Sequence, residues 1–203
     1  METTYKEVNG VTNSSFSFWR LIKKDIERYL YFSRDFIRER KGIIRKISVF
    51  LTPCLLCCFF YRLSHLLFRR GWRRLAAMIV RINFLLNKAD ISPDCKIGAG
   101  LYIPHTVGII LNGHAGINLT LYAFSAVTPL EGSKPGHQGD QKYRPVLGNN
   151  VTLGSEAMVL GSVKVGNDVI VGAKVSLVKD IPDKAKIYTP YESTCSIGKS
   201  EEN

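Results

Sequence analysis

The chain has 203 residues, of which 45% are hydrophobic and 22% are charged. This composition excludes a collagen-like protein, a disulfide-stapled scaffold and a largely disordered chain. The net charge of +11 comes entirely from residues 1–90, which hold 18 Lys and Arg against 7 Asp and Glu. Residues 91–203 carry 10 of each sign. The chain is therefore expected to contain two regions of different character.

The first region is predicted to be helical and basic. Residues 1–18 are polar and predict a disordered tail. Over residues 19–89, apolar residues recur at helical spacing between Lys and Arg, which predicts a basic α-helical region. Residues 47–61 form an uncharged run that Pro53 interrupts. This run is shorter than the roughly 20 apolar residues that a bilayer-spanning helix needs, so a spanning helix is not expected here.

Two interpretations of the basic region stay open. It is either a helical subdomain with solvated charges or a peripheral contact with an anionic membrane through Trp72, Phe68 and Leu67. No stacking or groove-reading motif accompanies the charge, so a nucleic-acid partner is not expected. The five cysteines are odd in number and follow no signal-peptide pattern. We therefore expect reduced thiols and a cytoplasmic protein, with peripheral attachment to the inner face of the membrane as a further expectation.

The second region repeats every six residues. Aliphatic residues occupy 13 successive positions of two runs: Ile91, Ile97, Ile103, Ile109, Ala115, Leu121 and Val127, then Leu147, Leu153, Val159, Val165, Val171 and Leu177. This period fits neither an α-helix nor alternating strands. It predicts a prism of short strands whose aliphatic residues point inward and whose corners favour Gly, Asn or Asp at positive φ. Residues 129–145 are expected to form an extruded loop, and residues 191–203 a C-terminal tail.

The segments ISPDCK–IGAGLY–IPHTVG and LGSEAM–VLGSVK–VGNDVI–VGAKVS resemble the hexapeptide-repeat acyltransferases. The order of features along the chain resembles the serine acetyltransferase branch of that superfamily. The resemblance implies a mainly β fold, a left-handed parallel β-helix over residues 90–190, preceded by the α-helical region. It also implies acetyl-CoA as co-substrate and a homotrimer with active sites between subunits. Pairing of trimers through the helical region is left open.

The resemblance assigns a catalytic pair. In that branch a histidine removes the proton from the acceptor hydroxyl, and an aspartate fifteen residues earlier orients the imidazole. The matching residues are His105 and Asp90. A neutral imidazole near its own pKa suits a general base, and a carboxylate on its other nitrogen fixes the tautomer.

The resemblance also implies where acetyl-CoA binds. Its pantetheine arm lies along the later coils, mostly on backbone groups. The matching positions are Gly154, Ser155, Gly172 and Ala173, with Lys174 and Lys179 as phosphate partners. Zinc is not expected, because His105, His114 and His137 are widely spaced along the chain, unlike the closely spaced ligands of the related γ-class carbonic anhydrases.

Departures from the branch bear on the acceptor. Pro104 stands where the branch has an aspartate for the serine amine, and Tyr143 and Arg144 stand where it has Arg-His for the serine carboxylate. With His114 as a further substrate contact, these positions predict a sugar hydroxyl or lipid-linked glycan as acceptor, in surface polysaccharide or glycolipid synthesis. This pattern resembles the exopolysaccharide and capsule acetyltransferases. Two alternatives remain: a serine O-acetyltransferase of cysteine biosynthesis, and a non-catalytic β-helix scaffold, because residues 188–191 replace the branch's Gly-x-Pro-Ala.

Overall fold

The computed structural model describes residues 17–33, 52–130 and 143–189. Its helices are α1 (Phe18–Phe32), α2 (Pro53–Arg69) and α3 (Arg73–Asn87). Pro53, the proline within the uncharged run, begins α2, because proline lacks the N–H that the first turn of a helix leaves unpaired. Among the described helices, none combines the length and the apolar character that crossing a bilayer requires. The predicted tails and residues 131–142 of the predicted loop lie outside the described residues, except that Ser17 precedes α1 and Phe18 begins it.

Twelve short strands follow the helices within the described ranges. They are β1 (Ala89–Ile91), β2 (Ile109–Leu111), β3 (His114–Ala115), β4 (Thr120–Leu121), β5 (Ala126–Thr128), β6 (Val146–Leu147), β7 (Thr152–Leu153), β8 (Met158–Leu160), β9 (Lys164–Val165), β10 (Ile170–Val171), β11 (Ser176–Leu177) and β12 (Lys186–Ile187). All pair in parallel, in three sheets: sheet 1 is β1-β2-β5-β8-β11, sheet 2 is β3-β6-β9, and sheet 3 is β4-β7-β10-β12. The predicted left-handed parallel β-helix is confirmed.

The chain runs from sheet 1 to sheet 2 to sheet 3 and back, so each coil turns three corners. The histidine corner, between sheets 3 and 1, comprises residues 104–108, 122–125, 154–157 and 172–175. The arginine corner, between sheets 1 and 2, includes residues 92–95, 112–113, 143–145, 161–163 and 178–180. The asparagine corner, between sheets 2 and 3, comprises residues 98–101, 116–119, 148–151, 166–169 and 182–185. Aliphatic side chains of the repeat fill the space between the sheets and form the core.

The asparagine corner shows how the coils stack. Asn118, Asn150 and Asp168 lie above one another at positive φ (61°, 55° and 57°). The Nδ2 of Asn118 donates to Oδ1 of Asn150 at 2.9 Å, and Nδ2 of Asn150 donates to Oδ1 of Asp168 at 2.7 Å. Beside this ladder, a Cβ on Gly148 would lie only 2.6 Å from the carbonyl oxygen of Gly166. Successive coils therefore approach too closely for any side chain at this glycine.

A buried ion pair between α1 and α2 contacts the N-terminal end of the first coil. The Nε of Arg62 lies 2.9 Å from Oδ2 of Asp25, and both side chains are almost fully buried. The backbone N–H groups of Gly100 and Leu101 each donate to Oδ1 of Asp25 at 2.8 Å. The Asp25 carboxylate therefore accepts hydrogen bonds from the coil as well as from Arg62, which compensates the cost of burying the charge.

Other side chains of α1 and α2 bind carbonyl groups of the same coil. Arg62 donates to the carbonyl oxygens of Ile97 and Gly98, both at 2.7 Å. Tyr61 donates through its hydroxyl to the carbonyl of Cys95 at 2.8 Å. Arg28 of α1 donates to the carbonyl of Gly100 at 2.6 Å. The helices thus supply the hydrogen bonds that a preceding coil supplies elsewhere.

Candidate functional site

The six-residue period breaks at the corner that carries His105. Along sheet 1, Ile91 pairs with Leu111, and the interval between them is two residues longer than the regular step of the later coils. The next step, from Leu111 to Val127, is two residues shorter than that regular step. Ile109 is buried, but it does not stack on Ile91 as the register predicted. The corner at residues 104–108 is therefore enlarged by two residues, and the arginine corner that follows it is shortened by two.

His105 lies in a surface bend of this enlarged corner. The bend ends at Gly108, whose φ is +71° and whose N–H donates to the carbonyl of Lys88 at 3.0 Å. A Cβ at Gly108 would overlap the ring of Phe124 on the next coil. The imidazole of His105 is exposed and makes no hydrogen bond with any described residue. Both of its ring nitrogens are therefore open to a substrate and to a partner side chain.

Asp90 lies on the coil next to His105. It is the central residue of β1, whose two neighbours are buried while Asp90 itself points outward and is exposed. It pairs with Ile110 of β2, the strand that begins directly after the bend. The structure therefore brings Asp90 and His105 to the outer surface near the histidine corner. No hydrogen bond joins these two described side chains, so the orienting role of Asp90 stays a prediction.

Most of the predicted acetyl-CoA positions stack on this same corner. Those brought together on two successive coils are Gly154, Ser155, Gly172, Ala173 and Lys174. A Cβ on Gly154 would lie 2.7 Å from the backbone nitrogen of Ala173, so the coils are in close contact here. Lys179 is not part of this group, because it lies at the arginine corner. Its predicted role, like those of the other five, stays a prediction.

The arginine corner holds an ion pair that the sequence did not reveal. The Nη1 of Arg144 donates to Oδ1 of Asp94 at 2.8 Å, and Nη2 lies 2.8 Å from Oδ2. Burial raises the pKa of Asp94, but hydrogen bonds from Arg144 and Ser92 outweigh it and hold that pKa below its usual value. Arg144 itself is buried. Its guanidinium is thus fixed against a carboxylate, and its predicted contact with substrate stays a prediction, as does that of half-buried Tyr143.

His114 lies beside this pair, at the start of sheet 2. The backbone N–H of Lys96 donates to its Nδ1 at 3.1 Å, so the proton of the neutral ring sits on Nε2. The Nε2 atom is buried and has no hydrogen-bond partner among the described residues. Burial and then the charges of Arg144 and Lys96 lower the pKa of His114 to about 4. At neutral pH the ring is uncharged, and its free atom is a donor, which excludes His114 as the general base.

The predicted site residues fall into two groups within one chain. His105, Pro104 and the predicted acetyl-CoA positions other than Lys179 lie at the histidine corner. Lys179 and the predicted substrate contacts Arg144, Tyr143 and His114 lie at or beside the arginine corner. Sheet 1 separates the two corners, so one chain does not bring both groups into a single pocket. Among the described residues, no group of three or more His, Cys, Asp or Glu side chains is placed to hold a metal ion.

Comparisons with known proteins place this fold. The family described as "Bacterial transferase hexapeptide (six repeats)" matches residues 144–179. The serine acetyltransferase of Helicobacter pylori is 34% identical over 128 residues, which cover 63% of this chain and 71% of that protein. That of Mycobacterium tuberculosis is 33% identical over 139 residues, which cover 68% of this chain and 59% of the relative. The chain thus spans less than two thirds of the mycobacterial protein.

Solved structures give the same fold. Soybean serine acetyltransferase superposes with a TM-score of 0.69 at 24% identity, over 88% of this chain and 69% of that one. The enzyme from Brucella abortus superposes with a TM-score of 0.67 at 19% identity, over 83% of this chain and 64% of that one. At these identities, the structural likeness concerns the fold alone.

Proposed function

Because the chain belongs to the serine acetyltransferase family, we propose that it transfers the acetyl group of acetyl-CoA to the hydroxyl of serine. The observation that carries the proposal is the position of His105. Its unengaged imidazole stands in an enlarged corner of the β-helix, on the outer surface that also carries Asp90. One coil, at residues 122–125, lies between it and the coils predicted for acetyl-CoA.

The predicted sugar acceptor is wrong. The relatives that match this chain are serine acetyltransferases, and the expected role in polysaccharide or glycolipid synthesis falls with it. The prediction relied on Pro104 and Arg144, two departures within an otherwise matching domain. A missing anion at one position does not by itself exclude an amino acid as the acceptor. The predicted class, an acyltransferase that uses acetyl-CoA, is confirmed at the level of the family.

The chemistry needs a single base. As the serine oxygen attacks the thioester carbon, His105 takes the hydroxyl proton, which prevents an unfavourable positive charge on the attacking oxygen. The carbon–sulfur bond then breaks, and the departing sulfur of CoA receives the proton back from the imidazolium. We assign Asp90 to the other ring nitrogen, where a carboxylate stabilises the imidazolium and fixes the tautomer. No covalent enzyme intermediate is required.

A complete site on this scheme takes residues from two copies of the chain. The histidine corner of one copy supplies the base and the acetyl-CoA surface, and the arginine corner of another supplies Arg144, Tyr143 and His114. This arrangement supports the homotrimer that the resemblance implies, because three copies around an axis can each pair one corner with the other. The oligomeric state and the cytoplasmic localisation stay predictions.

The test is acetyl-CoA turnover with serine, followed as free thiol and as acetylated product. We expect His105→Ala to lower kcat by about 10²–10⁴-fold, the usual contribution of a general base. Val107→Ala is the matched control, because it truncates an exposed side chain of the same bend and is expected to keep full activity. Equal activity of His105→Ala and wild type would overturn the assignment. Binding of acetyl-CoA without turnover of serine would favour the scaffold interpretation.

A further inference from the structure

An ordinary surface helix buries its apolar residues and exposes its polar ones, whereas helix α3 exposes several large apolar residues and buries two asparagines. Its buried residues are Ala76, Asn83 and Asn87, which are small or polar. Asn83 donates to the carbonyl of Cys57 in α2 at 3.4 Å, and Asn87 donates to Asn83 at 2.9 Å. The fully buried part of α3 therefore holds no large apolar side chain and is tied to the protein by amide hydrogen bonds, with Ile79 and Val80 half-buried at its edges.

Several large apolar side chains of α3 lie together on a side that no described residue covers fully. This α3 apolar row consists of the exposed Leu75, Met78, Leu85 and Leu86 and the half-buried Ile82. Phe84 is also exposed but lies on another side of the helix. At 100° per residue these positions fall within an arc of about 100°, the width of a normal buried helix face. Leu85 and Leu86 are 66% and 64% exposed. Such a contiguous apolar face marks an interaction surface rather than scattered exposure.

A basic row runs alongside the α3 apolar row. It consists of Arg74, Arg81 and Lys88, each seven residues from the next and each exposed. Between Glu39 and Asp90 the chain holds 11 Lys and Arg and no Asp or Glu. Arg62 alone among the described members of that set is buried against an acid, Asp25. The surface beside the apolar row is thus uniformly positive.

Trp72 extends this surface at the beginning of α3. It is the residue that precedes the helix, and it is 59% exposed between the arginines at positions 70 and 73. Leu67 and Phe68, which the sequence grouped with Trp72, belong to α2 and are less exposed than Trp72, being half-buried. The apolar surface therefore lies on α3 and not on the end of α2. Indole rings favour the boundary between water and acyl chains.

The positive charge of the basic row indicates which partner binds the α3 apolar row. A second copy that meets it across a two-fold axis would bring each basic row against a like-charged row. Residues 34–51 of this chain are also basic, with six Lys and Arg against two acids. An anionic bilayer complements both rows, because apolar side chains enter the acyl boundary while arginines meet lipid phosphates. We propose that α3 docks the protein on an anionic membrane surface, with the α3 apolar row inserted.

The test is co-sedimentation of the full chain with vesicles. We expect binding to vesicles of phosphatidylcholine mixed with phosphatidylglycerol, weak binding to phosphatidylcholine alone, and release at high salt. Leu85→Gln with Leu86→Gln should lower the affinity tenfold or more, because glutamine preserves helix propensity and removes the inserted area. Arg74→Gln and Arg81→Gln should each lower it about fivefold, which corresponds to about 1 kcal/mol per charge.

Matched controls lie on the β-helix. Ile117→Gln removes an exposed apolar side chain and Lys186→Gln an exposed charge, and both should bind vesicles as wild type does. Failure of wild type to bind anionic vesicles overturns the proposal, as does equal binding to phosphatidylcholine. The proposal is also overturned if the leucine double variant keeps vesicle binding but loses oligomeric mass in sedimentation, because the row then serves a second copy. Serine acetylation without vesicles is measured separately and bears only on the proposed function.

Discussion

The first coil of the β-helix and its later coils share one repeat but are stabilised in different ways. In the later coils, regular steps stack glycine on glycine and asparagine on aspartate, so each coil provides the hydrogen-bond partners of the next. The first coil is two residues longer and rests on the buried side chains of Asp25 and Arg62. The repeat alone therefore stabilises the later coils, whereas the first coil depends on contacts with residues distant in sequence. The candidate base, His105, lies where the repeat is interrupted.

The largest effect should come from removing the support of the first coil. Asp25→Leu leaves Arg62 as an unpaired buried charge, and we expect a loss of about 3–5 kcal/mol in the free energy of unfolding, measured by urea denaturation. The same variant should speed hydrogen exchange at the amides of Gly100 and Leu101, which donate to Asp25.

The matched control for this prediction is Glu27→Gln on the same helix. It breaks the exposed pair with Lys24 and is expected to leave the free energy of unfolding unchanged. Equal stability of the two variants would show that the first coil stands without its ionic support, and the contrast with the later coils would disappear.

A smaller effect is expected within the regular stack. Gly148→Ala places a Cβ 2.6 Å from the carbonyl oxygen of Gly166, and the coils must separate to admit it. We expect a loss of about 1–3 kcal/mol, the usual cost of overpacking. Gly71→Asn is the control, because that glycine has open space and a positive φ that asparagine tolerates. If Gly148→Ala unfolds with the same free energy as the control, the coils are not in close contact at Gly148.

The smallest effect concerns pH and the arginine corner. The pKa of His114 is lowered to about 4 in the folded protein, below its value in the unfolded chain. As the pH falls, the unfolded state therefore takes up the proton on His114 before the folded state does. The stability that the neutral ring confers is present above about pH 6.5 and is lost as the pH falls toward 4. His114→Asn should therefore flatten the dependence of unfolding free energy on pH across that window.

His65 needs a separate measurement in the same experiment. Its pKa is also lowered, chiefly by burial, so it contributes in the same direction. His65→Asn should remove a further part of the slope, and the double variant should remove both. Parallel pH curves for wild type and His114→Asn would show that this ring titrates as if exposed.

The fold could be predicted from the sequence because the aliphatic repeat recurs in every coil. The register at the enlarged corner could not be predicted. Residues 109–111 read Ile-Ile-Leu, so Ile109 and Leu111 are equally suited to the inward position. Only the pairing of β1 with β2 shows that Leu111 takes it. A shift of two residues leaves no trace when both candidates are aliphatic.

The buried ion pairs could not be predicted from the sequence either. Helical periodicity marked α2 as amphipathic, but it did not show that Arg62 lies inside, because its partner Asp25 is 37 residues away. The same holds for Asp94, which is 50 residues from Arg144. The acceptor was misjudged from single positions. The pair Asp90 and His105 came from a motif with fixed spacing, and its catalytic role stays a prediction.

The hydrogen bonds that α1 and α2 make with the first coil also bear on self-association. A parallel β-helix is an open ladder, and an uncovered terminal coil offers unpaired backbone groups as a template for another chain. Asp25, Arg62, Tyr61 and Arg28 occupy those groups at the N-terminal end. The helices thus act as a terminal cap of the kind that solenoids need. A β-helix stripped of them is expected to add chains end to end into fibres.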